Sequence, residues 1–296
     1  IAVIICLMYY NYPHWQNIRF GFVALTVFIY WISYKAWSQP ELFAVIRGYS
    51  NETADRSIVP KLTVHLPAKK YSNSGLAEND MQRIINALEN KDLRVIWLSS
   101  QGDKTFCAGA DLYELLSLKD ETTSTDFFHQ FGKLNLALKQ SPHLILTSVQ
   151  GKAIGGAVGI IAASDYVIAS DQASIRLSEL INGIGPFVVG PFIERKIGIA
   201  HFNHLTLNPV NWYDAAWCLQ KGLYNEVYDS KERLNAAISK KINELSQYSP
   251  KALKEIKQMM WDAHDDWNSL IQNRARISGK LILTAESKAA LDKLRK

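Results

Sequence analysis

The chain has 296 residues, of which 48% are hydrophobic, so it can bury one large core and is neither a disordered nor a fibrous protein. The net charge of +5 is mild and spread along the chain, without an arginine-rich run or an interleaved basic and aromatic strip, which argues against nucleic-acid binding. The three cysteines, Cys6, Cys107 and Cys218, lie far apart and outside CxxC or Cys/His spacing, which argues against a disulfide framework or a metal site and favours a cytoplasmic, reducing environment.

The first forty residues form an apolar segment. Within it, Phe20–Tyr34 carries no full charge, is rich in aromatics and is flanked by Arg19 and Lys35. This run is shorter than the ~20 residues with which a helix spans the hydrocarbon core. Three interpretations stay open: a membrane anchor, a hydrophobic helix that docks on a partner, or sequence foreign to the catalytic unit. The first implies membrane contact through residues 1–40, and in all three we expect the chain without these residues to fold.

Beyond Pro40, short apolar strands alternate with amphipathic helices. Alternation or buried character predicts strands at Lys61–Leu66, Val95–Leu98, Leu144–Val149, Tyr166–Ala169 and Ala173–Leu177. Helical spacing predicts one helix over Met81–Leu88 and another through Phe127 and Leu138, the latter capped by Ser124 or Thr125. After Tyr213 no further strand is predicted, and helices continue to the C-terminus. This order predicts an α/β fold with a C-terminal helical region.

Two turns built from small residues stand out in this pattern. Phe106–Leu112 follows the apolar run Val95–Ser100, and Ile154–Ala157 follows Leu144–Val149. We interpret both as strand-to-helix turns, in which the first amides of a helix have no intrahelical partner and attract an oxygen that is becoming negative. Because alanine and glycine leave room for a substrate carbonyl to approach, the pair of turns predicts an oxyanion hole.

The sequence around these turns resembles that of the crotonase, or enoyl-CoA hydratase/isomerase, superfamily. The resemblance runs through Val95–Leu115, Val149–Ser170 and Leu177–Gly198, and more weakly through Arg276–Leu283. It implies a ββα-spiral core over residues 41–248, a helical cap over residues 249–296, an acyl-CoA thioester as substrate in fatty acid metabolism, and assembly as a homotrimer or hexamer. Coenzyme A would enter as part of the substrate, with no separate cofactor.

By family position, the backbone N–H groups of Ala110 and Gly156 would be the oxyanion donors. Ala108, Leu112 and Gly155 would line the bound acyl thioester. Asp111 is assigned to the same substrate-binding turn, although an acid at that place also serves as a helix cap, which we favour as its role.

The catalytic carboxylates depart from the pattern of the family's hydratases. These enzymes use two glutamates, and here the first position is Gly159 while the second is Glu179. Some relatives have an additional carboxylate at a third position, where this chain has Phe187. The phenylalanine would instead narrow the pocket around the acyl chain. A single carboxylate whose pKa is raised by desolvation suits a proton shuttle. The resemblance therefore favours enoyl-CoA double-bond isomerisation through Glu179.

Two other functions stay open on the sequence: an enoyl-CoA hydratase that uses Glu179 alone, and a non-catalytic acyl-CoA-binding or scaffold protein. Lys69 and Lys70 lie in the loop with which relatives grip the CoA nucleotide, so Lys70 is a candidate phosphate contact. Cys107 has no His or Asn partner in the sequence, and we interpret it as a packing residue.

Overall fold

A computed structural model describes residues 62–66, 75–90, 93–261 and 266–294. The apolar segment 1–40 and the Lys69–Lys70 pair lie outside these residues, so the predictions made for them remain predictions. No helix within the described residues is long and apolar enough to cross a membrane.

The larger of two sheets is parallel throughout and contains five strands in the order β1, β2, β4, β6, β9. Four of them confirm the predicted strands: β1 (Leu62–Leu66), β2 (Val95–Ser100), β4 (Leu144–Val149) and β6 (Tyr166–Ser170). All six residues of β4 are buried, as expected of a central parallel strand covered on both faces.

The fifth strand, β9 (Glu226–Tyr228), corrects the expectation that strands end at Tyr213. It is only three residues long and begins with a glutamate, so it carries no apolar pattern. Its carboxylate is held by two hydroxyls, Tyr166 donating at 2.6 Å and Tyr228 at 2.7 Å. Tertiary pairing with β6, rather than local propensity, makes this segment a strand.

The smaller sheet has four short strands in the order β3, β5, β7, β8. These are β3 (Thr105–Cys107), β5 (Lys152–Ile154), β7 (Ser174–Arg176) and β8 (Tyr213–Asp214). The first three run parallel, and β8 is antiparallel to β7. Of these, only β7 falls within a predicted strand; β3 and β5 lie between the long strands and the two small-residue turns.

The helices before the C-terminal region frame this double-sheet core. They are α1 (Glu78–Leu88), α2 (Leu112–Ser117), α3 (Glu121–Gln140), α4 (Gly156–Ala163), α5 (Gly190–Ile197), α6 (Ile199–Leu207) and α7 (Ala215–Gln220), with a 3-10 helix at Glu179–Asn182. The helices predicted around Met81 and Phe127 are confirmed.

The predicted cap of α3 is wrong. Its N-cap is Asp120, whose carboxylate accepts the N–H of Thr123 at 2.9 Å, and not Ser124 or Thr125. Ser124 lies inside the first turn, fully buried, and its hydroxyl donates to the carbonyl of Asp120 at 2.7 Å. The helix therefore begins one turn earlier than its apolar stripe, because a polar first turn carries no hydrophobic signal.

The C-terminal helices are α8 (Lys231–Ser246), α9 (Pro250–Trp261), α10 (Trp267–Leu281) and α11 (Ala285–Leu294). Helix α10 packs along α3. Helix α11 packs against the 3-10 helix, where a β-carbon at Gly183 would lie 2.4 Å from the hydroxyl of Ser287. The helical C-terminal region therefore supports the segment that carries Glu179.

Candidate active site

The two small-residue turns meet because they leave neighbouring strands. Strands β3 and β5 are parallel and adjacent, so their carboxyl ends lie at the same edge of the smaller sheet. A β-carbon at Gly109, where φ is +86°, would lie 2.7 Å from the carbonyl oxygen of Ile154 and 3.4 Å from the amide nitrogen of Gly156. The first turn can approach the second this closely only with glycine at that position.

The amide of Ala110 is left free by the pairing around it. In the parallel bridge between Leu76 and Ala110, the N–H of Leu76 donates to Gly109 at 2.7 Å and the N–H of Asp111 donates to Leu76 at 3.2 Å. The N–H of Gly109 is directed to the sulfur of Cys107 at 3.4 Å. Within the described residues, the N–H of Ala110 has no backbone acceptor.

Ala110 does not lie in the first turn of a helix, which corrects the expectation for this turn. Helix α2 starts at Leu112, and its N-cap is Asp111. The carboxylate of Asp111 accepts the N–H groups of Tyr113 at 2.9 Å and Glu114 at 3.2 Å, so the helix terminus is already satisfied by its own cap. The favoured capping role of Asp111 is thus what the structure shows.

The second turn does open a helix. Gly155 adopts φ +56° and ψ −120°, and its N–H donates to the carbonyl of Arg176 at 2.9 Å. Helix α4 begins at Gly156, and no side chain caps it. The N–H of Gly156 is therefore a first-turn donor without an intrahelical partner, at the positive end of the helix dipole.

Glu179 lies against this second turn. A β-carbon at Gly155 would sit 3.2 Å from its Oε1. Oε2 is buried and has no hydrogen-bond partner among the described residues. Burial raises the pKa of Glu179 to about 7, because a charged carboxylate loses its hydration there. Glu179 is therefore not an exposed loop residue.

The space around Gly159, where the resemblance places the first glutamate of the hydratases, is filled by neighbouring side chains. A β-carbon at Gly159 would lie 2.4 Å from Cγ1 of Val189 and 2.8 Å from the side-chain nitrogen of Asn135. Both neighbours are buried, Asn135 completely. The packing around Gly159 therefore leaves no room for a longer side chain, and no carboxylate fits at this position.

One cavity of about 600 Å³ joins the two turns and Glu179. It is lined by the following residues predicted for the site: Ala108, Ala110, Leu112, Gly155, Gly156, Glu179 and Phe187. Asp111 does not line it. The apolar wall of the cavity includes Leu115, Phe128 and Phe131, and Ser278 of α10 lines another part of the cavity. Such a cavity, apolar with a few directed polar groups, has the character of a small-molecule site.

The sequence did not single out three other residues of the cavity: Lys152, Arg176 and Trp212. The Nζ of Lys152 lies 4.8 Å from the ring centre of Trp212, and the guanidinium carbon of Arg176 lies 4.7 Å from it. They come from β5, β7 and the residue preceding β8, which are neighbours only once the smaller sheet forms. Their spacing along the chain carries no signal.

Cys107 is buried, and burial raises the pKa of its thiol to about 12. It therefore stays protonated at neutral pH, in keeping with a packing role. Among the described residues, no group of three His, Cys, Asp or Glu side chains is arranged to hold a metal ion.

Comparison with known proteins identifies the class to which this fold and site belong. Strands, turns and C-terminal helices follow the crotonase fold: the solved structure of an enoyl-CoA hydratase from Bacillus halodurans superposes with a TM-score of 0.71 at 20% identity, covering 81% of this chain and 98% of that one. A sequence model of the enoyl-CoA hydratase/isomerase family matches residues 56–293. The chain belongs to the enoyl-CoA hydratase/isomerase family and is an enzyme of that family.

Relatives of different reaction types are similar to this chain. It is 29% identical over 203 residues to the bacillaene synthase dehydratase PksH of Bacillus subtilis, covering 67% of this chain and 75% of the relative. It is 26% identical over 210 residues to the trans-2-decenoyl-[acyl-carrier-protein] isomerase of Streptococcus mutans, covering 69% of this chain and 79% of the relative. The likeness therefore does not by itself select one reaction.

Proposed function

We propose that the protein moves the double bond of an enoyl thioester, with Glu179 as the one proton carrier. The carboxylate of Glu179 takes a proton from the α-carbon of a 3-enoyl-CoA, and the electrons move onto the thioester oxygen as a dienolate. The N–H groups of Ala110 and Gly156 stabilise this oxyanion. Protonated Glu179 then returns the proton to the γ-carbon, which gives the 2-enoyl product and restores the carboxylate.

The observation that carries this proposal is the state of Glu179. Its pKa of about 7 allows it to accept and return a proton near neutral pH, and its Oε2 has no competing partner among the described residues. The same cavity is lined by both residues whose amides are free to bind an oxyanion. A base and an electrophilic site on one cavity are what enolate chemistry requires.

The surroundings of Gly159 favour isomerisation over hydration. Addition of water is easier with two carboxylates, one to position and deprotonate the water and one to protonate the α-carbon. Val189 and Asn135 fill the space next to residue 159, so this chain offers no second acid at that place. Isomerisation needs only one group that alternates between base and acid, and Glu179 supplies it.

The decisive experiment offers the protein a 3-enoyl-CoA and a 2-enoyl-CoA of equal chain length in deuterated water. We expect the 3-enoyl-CoA to become the 2-enoyl isomer, which is measured by the absorbance of the conjugated thioester. Deuterium exchange at the α- and γ-carbons is measured by NMR. Hydration of the 2-enoyl-CoA without isomerisation would assign a hydratase instead. If neither compound changes, a non-catalytic acyl-CoA-binding or scaffold role replaces the proposal.

The proposal extends to substrate, assembly and setting. CoA enters with the acyl group, no separate cofactor takes part, and the reaction belongs to fatty acid metabolism. Assembly as a homotrimer or hexamer is supported by exposed apolar side chains around α6 and α7, namely Ile199, Leu207, Val210 and Leu219, which a monomer would leave in water. Light scattering coupled to size-exclusion chromatography measures the mass, and a monomer at all concentrations would contradict this part.

A further inference from the structure

Beyond the two turns, the cavity extends onto one face of the smaller sheet, where two positive side chains meet. Lys152 and Ile154 of β5 share this face with Arg176 of β7, because Ile154 and Arg176 are register partners. The intervening residues Ala153 and Ile175 point to the opposite face and are fully buried. Alternation along two short strands therefore directs both cations to the cavity side.

Within the described residues neither cation forms an ion pair, and Asp214, which shares the cross-strand row of Lys152 through Ser174, is used as the N-cap of α7. No carboxylate lies within 4.0 Å of Lys152 or Arg176 there. The Nε of Arg176 is buried without a hydrogen-bond partner. Both cations instead rest against Trp212. Its ring face attracts positive charge but offers no lone pair to accept a hydrogen bond from a guanidinium N–H. Two like charges on one aromatic ring, together with a buried donor that has no partner among the described residues, favour the binding of an anion.

The position of Arg176 restricts what that anion can be. The carbonyl of Arg176 accepts the N–H of Gly155 at 2.9 Å, so its backbone lies directly beside the turn proposed to hold the thioester oxygen. The anion is thus within the reach of one arginine side chain from the reacting thioester. The phosphates of CoA are separated from the thioester by the whole pantetheine arm, whereas a substituent on the acyl group stays close to it.

We propose that Arg176 and Lys152 bind a carboxylate carried by the acyl group, so that the substrate class is the monothioester of an unsaturated dicarboxylic acid. This inference rests on the proposed function for the identity of the thioester site. Arg176 presents a planar fork that matches a carboxylate, and Lys152, which is exposed at the edge of the cavity, adds a second positive charge. Trp212 holds both side chains in place through its ring contacts with them.

Equilibrium binding tests this without requiring turnover. Isothermal titration calorimetry on the full chain compares glutaryl-CoA with pentanoyl-CoA, which have five acyl carbons each and differ in a terminal carboxylate. We expect glutaryl-CoA to bind at least about tenfold more tightly at moderate salt. In Arg176→Gln this ratio of dissociation constants should fall towards one, Arg176→Lys should retain part of it, and Lys152→Gln should lower it less. Lys240→Gln, which removes an exposed lysine of α8 outside the cavity, is the matched control and should retain the full ratio.

Two results would overturn the inference. Equal affinity of the wild-type chain for both ligands would show that no acyl carboxylate is recognised. An equal loss of affinity for both ligands in Arg176→Gln, absent when the corresponding pantetheine thioesters are used, would assign the pair to a CoA phosphate. Neither result bears on isomerisation, which the deuterated-water experiment decides separately, so failure of the inference and failure of the proposed function are distinguishable.

Discussion

The two turns of the site follow the neighbouring strands β3 and β5 and are built from similar small residues. They nevertheless present their backbone N–H groups to the cavity in different ways. In the first turn, the helix terminus is closed by its own side chain, because Asp111 takes the N–H groups of Tyr113 and Glu114. In the second, helix α4 has no side-chain cap, and the N–H of Gly156 remains open to the cavity edge. Only the second turn can add the field of a helix dipole to its hydrogen bond.

The difference shows how a free amide can be made in two ways. The N–H of Ala110 is free because the bridge to Leu76 uses the carbonyl of Gly109 and the N–H of Asp111, whereas the N–H of Gly156 is free because it begins a helix. The first arrangement depends on strand-like pairing and a cap that fixes the following helix. The second depends on a glycine conformation at Gly155 and on the carboxyl group packed against it. Substitutions at the second turn should therefore affect turnover more than substitutions at the first.

The largest effect should come from the carboxylate beside the second turn. Glu179→Gln keeps the shape of the side chain but cannot accept the α-proton, so we expect kcat for isomerisation of a 3-enoyl-CoA to fall by ~10²–10⁴. Glu255→Gln, an exposed position on α9, is the control and should leave turnover at the wild-type value. A Glu179→Gln enzyme with wild-type kcat would remove Glu179 from the mechanism and with it the functional weight given to the second turn.

The next effect concerns the conformation of the second turn itself. Gly156 is a poor place to test it, since a β-carbon there would lie 2.6 Å from Cε1 of Phe131. Gly155→Ala strains a positive φ and sets a methyl group 3.2 Å from Oε1 of Glu179. We expect about 10²-fold lower kcat, as for a displacement of catalytic groups by roughly 1 Å, and a loss of about 1–3 kcal/mol in unfolding free energy.

Gly102→Ala is the matched control for that strain. Gly102 also has a positive φ, +83°, but lies in an exposed loop with nothing within 4 Å of the added carbon. It should lower stability by a comparable amount while retaining kcat, as measured by chemical denaturation and steady-state kinetics. If both variants lose turnover equally, general destabilisation rather than the geometry at Glu179 explains the effect.

Particular residues show how far sequence reasoning reached. The small residues at 107–111 and 154–157 predicted both turns, because close approach of a backbone leaves a compositional trace. The seven site residues that line the cavity were assigned by resemblance to the family, since Glu179 and Phe187 carry no such trace. The strands that deliver these turns were missed, since β3 and β5 are three residues long and include the polar Thr105 and the exposed Lys152. Three residues are too few to display a period of two.

What the sequence could not predict depends on pairing between distant segments. Lys152, Arg176 and Trp212 span some sixty residues and become neighbours only through the order β5, β7, β8. The filling of the space beside Gly159 likewise requires Asn135 of α3 and Val189, which local propensity does not connect. The direction of the pKa shift of Glu179 follows from the sequence, because a lone carboxylate in an apolar cavity resists ionisation. Its burial depends on where the 3-10 helix that carries it packs, and that includes a contact with α11 from the far end of the chain.

A smaller effect is expected in the pH dependence of stability. The pKa of Glu179 is about 7 in the folded chain and about 4.5 as the ordinary value, so the folded state binds more protons between these limits. The contribution of this group to unfolding free energy is therefore greatest below about pH 4.5 and is lost as pH rises through about 7. Glu179→Gln does not titrate, so its stability relative to the wild type should increase from pH 5.5 to pH 8.5, by on the order of 2 kcal/mol.

Urea denaturation at both pH values measures this difference, with Glu255→Gln as the control that should show no such trend. A Glu179→Gln variant whose relative stability falls with rising pH would mean that the carboxylate is stabilised in its charged form. The second turn would then hold an ionised acid at all neutral pH values, and Glu179 would be a poor candidate for returning a proton.

The smallest effect should come from the cap of the first turn. Asp111→Ala leaves the N–H groups of Tyr113 and Glu114 without their acceptor, so we expect a loss of about 1 kcal/mol in unfolding free energy. Asp111→Asn retains an acceptor oxygen and should restore most of this stability. Because Asp111 does not line the cavity, kcat and KM should change far less than in Gly155→Ala. A large rise in KM for the acyl-CoA in both Asp111 variants, with stability intact in Asp111→Asn, would show that Asp111 contacts the substrate and that the two turns are alike in function after all.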